Sequence, residues 1–248
     1  MGERGLYHLD IAGPALSKTG APRGPFDLDP LPWNEAPPSF PVLWRHDADR
    51  ERRLTVQPDS QGTVRHGRRD HALEVWAKAT RLHVNLDFRL NSQSLACCLT
   101  PGRSIGGRAW PNYRLEGDDE EESIKREKLV ALWMNTTLGL IGFWWLGTRQ
   151  QQGRAVLTIT RVGDLVVADP RRLSPEQIEM ASMIFDEMAE CELRPAHEAV
   201  DDPVRHRLDE SVLRQLLGLP GEALEALAVL RAQWCAEPSV HGGKKKRR

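Results

Sequence analysis

The sequence predicts an α+β fold, a mixed β-sheet region packed on a buried apolar helix and followed by a helical segment, and three observations lead there. Residues 82–90 alternate strictly, with Leu82, Val84, Leu86, Phe88 and Leu90 set against His83, Asn85, Asp87 and Arg89, the period of a half-buried strand. Residues 129–146, LVALWMNTTLGLIGFWWL, are nearly all apolar, as a helix enclosed on every side requires. After residue 170 the apolar positions recur at helical spacing.

Taken in order, residues 1–40 carry Gly and Pro every few positions, in GPALSKTGAPRGP and EAPPSFP, and read as a flexible arm. A helix is expected from Asp70 to Thr80, with Leu73, Val75 and Trp76 as its short apolar stripe. The alternating strand follows, then a second apolar run from Leu95 to Leu99 that ends at Pro101-Gly102. Residues 103–115, RSIGGRAWPNYRL, read as a glycine-broken loop beside a strand, and Asp118 to Glu122 as a solvated acidic loop and helix start. In the apolar helix, Gly139 and Gly142 are expected at positions of close packing. Ala155 to Thr160 alternates as a strand, and Leu165 to Val167 is a short buried piece. Ser174-Pro175-Glu176-Gln177 then specifies a helix start, with a capping serine, proline at the first helical position and glutamine at the third. Ile178, Ala181, Phe185 and Met188 mark the buried stripe of that helix, and two more helices are expected, Asp209 to Leu217, stopped by Gly218, and Glu222 to Ala236. The expected organisation is an arm over 1–40, an α+β domain over 41–170, a helical segment over 171–243 and a disordered basic tail over 244–248.

At 248 residues and 40% hydrophobic content the chain can fill a sizeable core. A net charge of −1 conceals segregation: residues 45–69 hold seven Arg against four acids, 116–122 are acidic and 244–248 are wholly basic. Arg outnumbers Lys 27 to 7, which suits bidentate recognition of phosphate and guanine, although a GC-rich genome produces the same bias. Cys97, Cys98, Cys191 and Cys235 show no two-residue spacing and no histidine set, so no metal is expected. No basic-then-apolar leader is visible, and a cytoplasmic location follows as the expectation. A span through residues 129–146 meets the length of about 20 residues only narrowly, and Asn135-Thr136-Thr137 lies at its centre, so no membrane is expected.

Several kinds of chemistry are missing. There is no P-loop, and the glycines from Gly102 to Gly107 do not sit between a strand and a helix. No serine is framed as a nucleophile elbow, and Cys97-Cys98 lies in an apolar run. Glu122 with Lys125, and Glu74 with Lys78, have the wrong spacing for a metal-dependent nuclease core. No catalytic residue and no cofactor are therefore expected.

What is present is a set of planar polar side chains interleaved with aromatics. The first cluster is Arg89, Asn91 and Gln93; the second is Arg103, Arg108, Trp110, Asn112 and Arg114, with Tyr113 among them; the third is Arg149, Gln151 and Arg154. Arg, Asn and Gln pair donors and acceptors in the geometry of guanine and adenine edges, and the same arginines suit backbone phosphates. Tyr113 apart, these eleven residues are the candidate DNA-binding set, with double-stranded DNA as the partner. Two other readings stay open: a protein-interaction module using Trp133, Trp144, Trp145 and Trp234, and a nuclease holding Mg²⁺ on Asp118, Asp119 and Glu121.

The central segment also resembles a known family. Leu129-Val130-Ala131-Leu132-Trp133-Met134-Asn135-Thr136-Thr137-Leu138-Gly139, followed by aromatics, is similar to the helix in target-recognition domains of adenine-specific DNA methyltransferases and type I restriction-modification specificity subunits. Ser104 to Arg114 stands where those domains have a loop and strand, Leu165 to Pro170 matches their short apolar-proline segment, and Leu173-Ser174-Pro175-Glu176-Gln177 matches their Leu-Ser-x-x-Gln helix start. The likeness covers residues 80–192, in that order of elements. It implies a mixed α+β domain that selects a DNA sequence for a methyltransferase or a restriction/translocase subunit, with Asn135 as interior scaffold. The catalytic Asn/Asp-Pro-Pro-aromatic motif of such methyltransferases is missing, Ala36-Pro37-Pro38-Ser39-Phe40 lacking the needed amide or carboxylate, and so is a glycine-rich methyl-donor loop. The resemblance thus implies a specificity subunit or fragment without methyl transfer of its own.

Overall fold

Short strands dominate the chain before residue 116 and helices dominate after it, which makes the protein α+β, as its sequence predicts. The computed structural model describes residues 9–11, 24–30, 39–107, 109–115, 120–150 and 153–243. The strands are β1 (Leu9–Ile11), β2 (Phe26–Pro30), β3 (Ser39–Leu43), β4 (Ser60–Val64), β5 (Thr80–Val84), β6 (Asp87–Arg89), β7 (Cys97–Gly106), β8 (Asn112–Leu115), β9 (Thr148–Gln150) and β10 (Arg154–Val156). The helices are α1 (Arg69–Ala77), α2 (Glu120–Asn135), α3 (Thr137–Leu146), α4 (Pro175–Met188), α5 (Pro203–Asp209), α6 (Gly221–Cys235) and α7 (Pro238–His241). Seven strands form one sheet in the order β1-β8-β5-β7-β3-β4-β2, and β6-β10-β9 form a second. Among the described strands only β3 and β7 pair in parallel, Val42 lying opposite Ile105.

Three features of the large sheet correct the sequence reading. Residues expected to form an arm supply β1, β2 and the start of β3. Each of these strands has at most five residues, too few for a period to stand out among prolines and glycines. Phe26 and Phe40 anchor β2 and β3, their rings edge to face at 5.5 Å, and Gly62 leaves room for the Phe26 ring at 3.2 Å. Secondly, the alternation over 82–90 is not one strand. The Asn85 carboxamide oxygen accepts from the Asp87 backbone N–H at 3.0 Å, the chain turns, and β6 joins the other sheet. His83 and Asn85, expected on an outer face, are fully buried because both faces are covered. Thirdly, β7 continues through Pro101 and Gly102, which stand exposed at an irregularity in its pairing with β5, between Leu99 opposite Leu82 and Ser104 opposite Thr80.

The apolar segment is two helices, not one rod. α2 and α3 meet at Thr136 with a bend of 75°, and among the described residues no single helix is long and apolar enough to cross a membrane. The polar triplet makes the break: the Thr136 hydroxyl donates to the Trp133 carbonyl at 2.7 Å and accepts from the Gly139 N–H at 3.1 Å, ending one helix and capping the next. Gly139 is a close-packing position as expected, since a Cβ there would lie 2.2 Å from the Trp133 carbonyl oxygen. Gly142 is not, for it faces open space. Asn135 is fully buried and binds the β7 entry, accepting from Ala96 N–H at 3.0 Å and donating to the Cys97 carbonyl at 2.7 Å.

Beyond residue 153 the expected strand shrinks to β10, and a short 3₁₀ turn takes Ile159–Asp164. α4 opens with the full reciprocal cap, Ser174 Oγ accepting from Gln177 N–H and the Gln177 side chain accepting from Ser174 N–H. Ala181, Phe185 and Met188 are buried as expected, Ile178 half-buried. α5 runs on into a π-helical stretch, Glu210–Leu216, before Gly218 turns the chain at φ +73°. One apolar cluster holds residues from Leu43 to Val240, so the segments 41–170 and 171–243 share a core.

At the helix break the C-terminal segment reaches the centre of the molecule. Asp209 accepts from both the Thr137 N–H, at 2.7 Å, and the Thr137 hydroxyl, while Arg231 donates to the same carboxylate at 2.8 Å. Arg205, also fully buried, donates to the carbonyls of Asn135 and Ser94. These pairings offset the cost of burying charge.

Candidate nucleic-acid interface

The small sheet brings together two of the three polar clusters. Arg154 lies opposite Arg89 on β6 and opposite Gln150 on β9, so residues some 60 positions apart occupy one register line. On the neighbouring line Phe88 and Ala155 are fully buried, and Phe88 meets Phe143 of α3 edge to face at 5.5 Å. The sheet therefore has an apolar side on α3 and presents Arg89, which is exposed, on its other side. Arg154 is half-buried and grips Asp87 through both Nε and a terminal nitrogen, the latter at 2.8 Å from Oδ2. That hydrogen bond raises the Arg154 pKa further, so the guanidinium stays charged and fixed in direction.

Asn91 borders the turn that joins β9 to β10. Gly153 there has φ +70°, and a Cβ would lie 3.0 Å from the Asn91 Cβ and 2.5 Å from the Val240 carbonyl oxygen, so glycine alone fits. Leu90 N–H donates to the Gly153 carbonyl at 2.8 Å, extending the contact of the two clusters by one residue. Arg149 sits on β9 opposite Ala155. Gln151 and Arg108 lie outside the described residues.

Gln93, expected as a base reader, faces inward. Its oxygen accepts from the Arg89 backbone N–H at 2.6 Å and its nitrogen donates to His46 Nδ1 at 2.8 Å and Glu51 Oε2 at 3.3 Å. Gln93 thus fixes the backbone that carries Arg89. The sequence reading missed Glu51, a fully buried carboxylate that also accepts from Asp47 N–H at 2.9 Å and from Trp110 Nε1 at 3.0 Å. Its place in an Arg-rich stretch, Arg45 to Arg53, gave it the look of a surface charge.

The second cluster is not on this surface. Trp110 is fully buried over that carboxylate. Asn112, 1% exposed, donates to the Lys78 carbonyl at 3.0 Å and accepts from Gly106 N–H at 3.3 Å. Arg103 closes the C-terminus of α1, donating to the carbonyls of Trp76, Ala77 and Ala79 at 3.0–3.2 Å, with its guanidinium 5.4 Å from the Trp76 ring centre. Arg114 alone of the described members is exposed, on β8 opposite Asp10 of β1.

Among the described residues no group of three or more His, Cys, Asp or Glu could hold a metal ion. Asp118 and Asp119 lie outside the described residues, and of Glu121 only the helical backbone is described. His83 is buried between the Trp110 carbonyl at 3.0 Å and Ser104 Oγ at 2.8 Å, and burial pushes its pKa down to about 4. Burial pushes the Cys97 and Cys98 thiols up, away from reactive thiolates. What the small sheet can do is bind: one exposed guanidinium, a second held by a carboxylate and an amide position stand on adjacent strands. Compared with protein-family models, curated proteins and solved structures, the chain has no match.

Proposed function

We propose that the protein is a non-catalytic DNA-recognition module, a specificity subunit or fragment of a restriction-modification or related phage-defence methyltransferase system. The observation that carries this reading is the register of Arg89, Gln150 and Arg154 on the three-stranded sheet, which joins two clusters that are distant in sequence. Arginines there neutralise phosphates, and an arginine–guanine or glutamine–adenine pair contributes about 1–3 kcal/mol of base discrimination. In this reading Asn91 flanks the contact, Gln93 positions Arg89, Arg149 falls on the register line of the buried Phe88 and Ala155 and not on that of Arg89, and the second cluster serves stability. The helices from Asp209 onward offer the surface for a catalytic partner or a second copy.

The test is retention of a random duplex library at two salt concentrations, followed by sequencing of the bound pool. A salt-sensitive shift with an enriched motif supports base readout. Retention without enrichment reduces the activity to charge attraction, and no retention at low salt removes the proposal. A second reading, a protein-interaction module without nucleic-acid binding, is favoured by Trp145 and Met183, which stand 71% and 64% exposed; it predicts no duplex retention at either salt concentration.

A further inference from the structure

α6 buries one side and leaves the other bare. Leu227, Arg231, Trp234 and Cys235 face the core, whereas Glu222, Glu225, Ala226, Val229, Ala232, Gln233 and Ala236 are exposed. At about 100° per residue those seven fall within roughly 60° of Val229, so they form one straight face with Val229, 60% exposed, at its middle. Leu230, 41% exposed, flanks it. The acids are confined to its first half and the second half carries only Ala and Gln.

We propose that this face pairs with the same face of a second copy of the chain, antiparallel, across a two-fold axis through Val229. In that register Ala226 of one copy meets Ala232 of the other, Glu225 meets Gln233, and Glu222 meets Ala236. The small side chains let the helix axes approach to about 8 Å. A parallel pair would instead set Glu222 and Glu225 against themselves. At the ends, exposed Glu237 of one copy reaches the α6 N-terminus of the other, which has no side-chain cap and where unpaired N–H groups favour an anion.

Symmetry makes every such contact occur twice. The face is short, 15 residues or about 22 Å, and buries less than the ~1,200 Å² of a standard interface, so the pair is weak, with a dissociation constant above about 10 micromolar. It stands independently of the nucleic-acid reading.

The experiment is sedimentation equilibrium of the full chain from micromolar to millimolar concentration at low and high salt, without DNA. The expected result is a monomer–dimer equilibrium weakened by salt, with Val229→Asp raising the dissociation constant at least about tenfold while the melting midpoint stays unchanged. A second variant keeps the test independent of that substitution: in a Cys191→Ser background, Val229→Cys cross-links to itself on mild oxidation, whereas Met183→Cys on exposed α4 does not. A chain that stays monomeric at millimolar concentration overturns the proposal, as does a dimer indifferent to Val229→Asp or equal cross-linking through both cysteines.

Discussion

Two groups of arginine and amide side chains, one on the small sheet and one around β7 and β8, end up in different environments. Trp110 and Asn112 are buried and Arg103 is spent on backbone carbonyls, while Arg89 stands exposed and Arg154, half-buried, pairs with the Asp87 carboxylate. Unsatisfied backbone groups decide the difference. The C-terminus of α1 leaves carbonyls at Trp76 to Ala79, and Arg103 and Asn112 supply the donors. The close crossing at Gly106, where a Cβ would lie 2.4 Å from the Trp110 carbonyl oxygen, holds Trp110 and Asn112 inside. On the small sheet the strands pair with one another, and no such demand draws Arg89 in. Composition alone therefore does not decide which way such side chains turn; the unpaired carbonyls nearby do.

That contrast can be broken by substitution. Trp110→Ala removes a fully buried ring and one donor to Glu51, and is expected to destabilise the protein by about 3–5 kcal/mol in urea unfolding. An effect below 1 kcal/mol would place the ring outside the core. Next comes pH. His83 in the folded state takes up a proton only near pH 4, against about 6.5 when unfolded, so its contribution is complete above pH 6.5 and is lost as pH falls toward 4. The difference amounts to about 3 kcal/mol, and His83→Gln should flatten that part of the stability profile, measured by thermal melts across pH 4–7. Asn112→Ala leaves the Lys78 carbonyl and Gly106 N–H unpaired and should cost about 1–3 kcal/mol. Arg89→Ala should change stability by no more than about 0.5 kcal/mol, yet lower duplex retention severalfold and reduce the salt slope by about one unit if the small sheet binds DNA. A stability loss at Arg89 as large as that at Asn112 would erase the distinction between the two clusters.

Much of the fold was legible where the signal was local and repeated. The α4 start carried four residues with a defined cap chemistry, and α6 falls within one residue of its expected bounds at each end. The strands before residue 44 were illegible because their partners lie far away: β1 pairs with β8 and β2 with β4. The alternation from Leu82 to Leu90 was real, but it could not reveal that Asn85 turns the chain from one sheet into another. Of the candidate site, the first and third clusters were visible as sequence, whereas the inward turn of Gln93 depends on Glu51 and His46, more than 40 positions away.

The carboxylate of Asp209, lodged at the head of α3, makes the tail end of the protein a precondition for its middle. α3 begins 72 residues before that aspartate, and Arg231, which steadies it, comes later still. A chain cut short ahead of α5 would lose the group that terminates its central bend, together with the Arg205 clasp on Asn135. Melting is accordingly expected to be a single cooperative event, and any minimal version of the protein must run past Arg231.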